Sequence, residues 1–122
     1  MDKSNTKFGF NSLLIHAGEN PDSQTGAVAP VLVRSKTFKQ KEFRVEAEYQ
    51  YGRGKNPTRN ALEEKLAYLE GTEFDAQAAV FSSGNAAVTN LFLTLQPGDH
   101  ILFSKEVYGG TFRILEKVFK KF

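Results

Sequence analysis

Cysteine is absent from the 122 residues, which excludes a disulfide framework, a thiolate zinc site and a cysteine nucleophile. Histidine is scarce: His16 and His100 stand far apart, neither beside a second histidine nor beside paired carboxylates. A metal site has little to draw on, and both histidines read as structural or surface residues. No excess of one charge sign exists either. Sixteen Lys and Arg are interspersed with fourteen Asp and Glu for a formal net charge of +2, a balance that gives nucleic-acid or membrane-surface binding no support. No apolar run approaches a membrane span, and the mixed polar stretch from Met1 to Leu14 lacks the apolar core of a signal peptide. A cytoplasmic location is therefore expected. Internal repeats and low-complexity tracts are missing too. What remains, 40% hydrophobic and 25% charged, is the composition of one ordinary domain, long enough to bury about two-thirds of its unfolded surface.

The order of residues divides the chain near position 57. From Asp2 to Gln50 apolar residues are scattered and Pro and Gly recur, with no sustained period of 3.6 or 2.0, so residues 1–57 read as an extended N-terminal arm. Beyond it, Asn56-Pro57-Thr58 offers N-caps and a proline suited to a first helical position. Leu62, Leu66 and Leu69 then repeat at helical spacing and Gly71 follows as a stop, predicting a helix over about 58–70. Ala78-Ala79-Val80-Phe81 reads as a buried strand running into the turn Ser82-Ser83-Gly84. Next, Ala87, Val88, Leu91, Phe92 and Leu95 form a helical stripe that Pro97-Gly98 ends. His100-Ile101-Leu102-Phe103 repeats the strand and Tyr108-Gly109-Gly110-Thr111 repeats the glycine turn. A last helical stripe runs through Phe112, Leu115, Val118 and Phe119, with Lys117, Lys120 and Lys121 suited to its C-terminal end. The alternation argues for an α/β domain with a parallel sheet, of which residues 58–122 are the start. Two strands cannot make such a sheet self-sufficient, and Phe122 ends an apolar helix without a capping glycine, so the chain is expected to be cut short there.

Three stretches could carry chemistry. At Ser82-Ser83-Gly84 a strand hands over to a helix, so backbone N–H groups and the positive end of the helix dipole would welcome an anion, most often phosphate; a plain turn has the same composition. Tyr51-Gly52-Arg53-Gly54-Lys55 places a guanidinium and a phenol in a glycine-bearing stretch, either a phosphate clamp or a solvated flexible loop. Tyr108, before two glycines, could lay its ring on a flat ligand or simply pack.

Taken together, Tyr51 through Arg59, Phe81-Ser82-Ser83-Gly84, Gly98-Asp99-His100 and Val107-Tyr108-Gly109-Gly110-Thr111 resemble the Cys/Met-metabolism family of pyridoxal-phosphate enzymes. Ile15-His16-Ala17-Gly18, Thr25 through Pro30 and Thr37-Phe38 resemble the family's N-terminal arm, so the likeness covers about residues 12–120. It implies an incomplete fold-type-I PLP-dependent transferase-like domain, α/β in class, with pyridoxal 5'-phosphate as cofactor. Carried over by position, Tyr51 and Arg53 would hold the cofactor phosphate in a neighbouring subunit's site, and Ser83, Gly84 and Asn85 would receive phosphate on backbone amides. Tyr108 would stack on the pyridine ring and assist proton transfer, making it the one catalytic candidate.

Departures exist. Gly52 stands where a serine is usual, Asn85 where methionine or leucine is commoner, and Val31, Val33 and Lys36 replace the proline, tyrosine and serine of the arm. In the family the Schiff-base lysine and the aspartate on the pyridinium nitrogen lie beyond position 122, and none of the lysines here, Lys105 included, sits in the lysine's context. The resemblance therefore implies the N-terminal, cofactor-binding portion of a transsulfuration enzyme of the cystathionine γ-lyase or γ-synthase type, catalytically incomplete as 122 residues. A methionine γ-lyase or O-acetylhomoserine sulfhydrylase parent is the alternative, as is a non-catalytic remnant that binds a partner or the cofactor. The complete enzyme would act on a small amino acid and assemble as a homo-oligomer, a dimer of dimers, with no nucleic acid or membrane partner.

Overall fold

A computed structural model describes residues 8–71 and 76–122. They fall into two compact units, Met1–Val80 and Phe81–Phe122.

In the first unit, α1 (Phe10–His16) packs against α2 (Pro57–Glu70). The 58–70 expectation for α2 is met within a residue, because its start is built as the sequence suggests. Asn56 is extended and its side-chain oxygen accepts from the backbone N–H groups of Thr58 at 2.9 Å and Arg59 at 3.4 Å, with Pro57 as the first helical residue. Such a cap contributes about 1 kcal/mol. The same cap holds the arm. Asn56 Nδ2 donates to the Val33 carbonyl at 3.0 Å, and Thr58 Oγ1 accepts from Val33 N at 2.9 Å while donating to the Val31 carbonyl at 2.9 Å.

The arm is not uniformly extended, since α1 forms inside it. Seven residues, fewer than two turns, are too short for a period to show. The helix is fixed from outside: Ala17 is fully buried, and Gly18 turns with φ +69°, where a Cβ would run into the Ala61 carbonyl and stand 2.9 Å from Lys65 N. A Lys65–Glu19 ion pair adds to this contact. Only a residue without a side chain lets the turn lie on α2 this closely.

The second unit is a helix pair. Ser83 caps α3 (Gly84–Phe92) by accepting from Ala86 N at 3.1 Å. The helix stops at Phe92, short of Leu95, and Asp99 then closes the Pro97-Gly98 turn by accepting from Gln96 N at 2.8 Å. α4 (Gly109–Lys117) and a 3-10 turn (Phe119–Lys121) follow. Phe92 packs edge-on to Phe119 at 5.3 Å, and Leu115 of α4 is buried.

The two expected strands are not formed. Among the described residues the only bridge is an isolated antiparallel one between Thr37 and Tyr51, and 78–81 and 100–103 carry no ladder. Backbone groups that lack a neighbouring strand find other partners. Val80 N donates to the Glu63 carboxylate at 3.0 Å, and Leu102, in the second expected strand, is 99% exposed. Among the described residues no helix is long and apolar enough to cross a membrane.

Candidate functional site

Tyr51 and Arg53 lie in the first unit, in a turn that is bonded at both ends. Gly52 N donates to the Lys36 carbonyl at 2.7 Å and Phe38 N to the Gln50 carbonyl at 3.1 Å, fastening the turn to the arm. Gly54 N and Lys55 N both donate to the Tyr51 carbonyl, at 2.9 and 3.1 Å. Arg59, from the first turn of α2, donates to the Gly54 carbonyl. Of the two readings for 51–55, the solvated flexible loop is not what forms: four backbone bonds and one guanidinium hold a turn there. On it the Arg53 guanidinium lies 5.2 Å from the centre of the exposed Tyr51 ring, within cation–π range. Gly52 has a steric reason: a Cβ there would come 2.9 Å from the Ser35 carbonyl oxygen.

Behind this turn Tyr49 packs on Phe38 at 5.6 Å. Burial pushes its phenol up, and a hydrogen bond with Glu48 and that carboxylate's charge act in the same direction. Sequence reasoning passed over this residue, as it did the tether from Asn56 and Thr58 to Val31 and Val33. For the tether, the signal was a capping motif with one hydroxyl more than a cap requires.

Ser83, Gly84, Asn85 and Tyr108 all lie in the second unit, at the N-terminal ends of its two helices. Helix geometry leaves the first N–H groups without an intrahelical acceptor. Ser83 Oγ takes that of Ala86, and the Ser83 carbonyl takes that of Ala87 at 3.1 Å. By the same geometry the N–H groups of Gly84 and Asn85, the first two of α3, lack an intrahelical acceptor, and nothing stands within 4 Å of where a Gly84 side chain would begin. An anion can reach both amides there, favoured by the helix dipole. Tyr108 precedes α4 without capping it and is 73% exposed. Its ring and the Asn85 amide meet above the buried Gly110: a Cβ on that glycine would lie 2.5 Å from Tyr108 Cε1 and 2.7 Å from Asn85 Nδ2. The N-terminal end of α3 and an exposed aromatic ring are therefore neighbours. Among the described residues no group of three His, Cys, Asp or Glu side chains could hold a metal ion.

The model for the Cys/Met metabolism PLP-dependent enzymes matches residues 11–122. The chain belongs to that family. A probable cystathionine gamma-synthase of Herpetosiphon aurantiacus is 42% identical over 111 residues, which cover 91% of this chain and 34% of that protein. The cystathionine beta-lyase of Lactococcus lactis subsp. cremoris (strain MG1363) is 44% identical over 108 residues, covering 88% of this chain and 28% of that protein. Among solved structures, the cystathionine gamma-lyase from Lactobacillus plantarum complexed with L-serine superposes with a TM-score of 0.80 at 38% identity, over 94% of this chain and 29% of that one. This Cys/Met-metabolism chain thus spans about a third, or less, of the length of the relatives it matches, and its fold is the corresponding part of the fold-type-I α/β domain. Its family's cofactor is pyridoxal 5'-phosphate. The open Gly84 corner, the first two amides of α3 and the exposed Tyr108 ring fit the phosphate and the ring of that group.

Proposed function

We propose that residues 58–122 begin the cofactor-binding domain of a transsulfuration enzyme of the cystathionine γ-lyase or γ-synthase type, and that residues 1–57 are its arm. The observation that carries this reading is the juxtaposition, within one unit, of the Ser83-Gly84-Asn85 amides and the Tyr108 ring. Gly84 and Asn85 bind the cofactor phosphate through backbone N–H groups, and Ser83 holds the helix end that aims them. Tyr108 lies along the pyridine ring, and its phenol takes and returns a proton at the substrate's amino group. Tyr51 and Arg53 grip the phosphate of a neighbouring subunit through the phenol and the guanidinium fork, which makes the working enzyme at least a dimer and suits a dimer of dimers. Pyridoxal phosphate, when bound, supplies the electron sink for carbanions next to the amino group. The substrate is a sulfur amino acid whose C–S bond is cleaved or made, and the location is the cytoplasm. The 122 residues alone do not complete the chemistry.

Cleavage at the β-carbon is a second reading, favoured by the 44% identity to a protein named cystathionine beta-lyase. The natural protein containing this chain, given L-cystathionine and pyridoxal phosphate, separates the two. Cysteine and 2-oxobutyrate report γ-cleavage; homocysteine and pyruvate report β-cleavage. Absence of both products, together with no C–S bond formation from cysteine and an activated homoserine, removes the transsulfuration reading.

A further inference from the structure

Gly110 is the second residue of α4. It is buried at the start of α4, and the space a Cβ would take is filled by two side chains, the Tyr108 ring and the Asn85 amide. Both Cε1 at 2.5 Å and Cδ1 at 3.0 Å of the tyrosine crowd that point, so one edge of the ring lies down on the bare glycine backbone. The Asn85 amide closes the same space from α3 at 2.7 Å. An aromatic side chain on an exposed turn has two soft torsions, and only a neighbour that excludes the alternatives fixes the plane it presents. Here glycine allows the ring to descend and asparagine limits how far it swings.

We propose that Gly110 and Asn85 are positioning residues that set the plane of the Tyr108 ring for the cofactor, beyond the backbone amide that Asn85 offers to phosphate. This rests on the reading above that Tyr108 faces the pyridine ring. An added methyl at 110 meets the movable ends of two side chains rather than backbone. The ring and the amide move aside and the helix stays, all the more because alanine is the better helix former. A fold defect and a positioning defect therefore separate.

The test is a double-mutant cycle in the natural protein containing this chain, reading equilibrium affinity for pyridoxal phosphate, competition by inorganic phosphate, and the thermal midpoint without ligand. Gly110→Ala is expected to weaken pyridoxal phosphate about tenfold, to leave inorganic phosphate within twofold and not to lower the midpoint. Asn85→Ala is expected to act in the same direction and less. In the Tyr108→Ala background, Gly110→Ala is expected to have no further effect, since the ring it would displace is gone. An equal loss with and without Tyr108, or no loss in the wild-type background, overturns the proposal. If Tyr108→Ala itself leaves pyridoxal phosphate affinity unchanged, the reading that Tyr108 faces the ring fails and the proposal falls with it, a result distinct from the other two.

Discussion

Gly52 illustrates how a single departure from a family's usual residue is explained by its surroundings. The turn carrying Tyr51 and Arg53 approaches the arm so closely that a Cβ would meet the Ser35 carbonyl at 2.9 Å, an obstacle of backbone and not of a movable side chain. Gly52→Ser is expected to lengthen the 2.7 Å bond from Gly52 N to Lys36 and to loosen the turn, costing on the order of 1–2 kcal/mol of stability; chemical denaturation compared with the wild type checks it. Tyr49 behind the turn ionises above the ordinary phenol range, with desolvation as the leading cause. A phenol whose ionisation is raised on folding contributes stability that is present below the unfolded value of about 10 and is lost as pH rises through the higher folded value. Tyr49→Phe is expected to remove a component that ionises above the ordinary phenol range from an absorbance titration and to flatten the alkaline loss of stability. At this scale the sequence was partly legible. Arg53 and Tyr108 stood out by chemical type, whereas the seat at Gly110 did not, because which side chain fills a glycine's space is decided by a second helix.

Elements were legible where their ends are coded locally. Asn56-Pro57-Thr58 and Ser83-Gly84 start helices by side-chain bonds within three residues, and both starts fall close to their expected positions. α1 escaped notice because Ala17 and Gly18 are satisfied by α2, some forty positions later. The strands at 78–81 and 100–103 were read from apolar runs, yet strand pairing is a property of neighbours and not of the run itself. The Asn56 cap does two jobs, starting α2 and holding Val33, so Asn56→Ala is expected to cost about 2 kcal/mol, more than the roughly 1 kcal/mol of a simple cap. Thr58→Val, which keeps the helix start and loses two bonds to the arm, is expected to cost about 1–2 kcal/mol while leaving helix content by circular dichroism unchanged.

Over the whole molecule, apolar side chains outnumber the places to bury them. Ala17, Phe92 and Leu115 are the buried apolar residues among those described, while Leu62, Leu66, Leu91, Leu93, Leu102 and Phe103 are all exposed. The stripes that periodicity identified on α2 and α3 are therefore real, but much of each faces nothing within its unit. Exposed apolar faces of this extent promote association. The 122 residues alone are expected to self-associate and to melt without a sharp cooperative transition, observable by light scattering and calorimetry. The central claim remains the cofactor site, and equilibrium binding of pyridoxal phosphate to the natural protein containing this chain, compared with its Arg53→Ala and Tyr108→Ala variants, tests it most directly. The account predicts a loss of tenfold or more in each variant, with phosphate-free pyridoxal losing affinity only on Tyr108→Ala. Unchanged binding in both variants would contradict it.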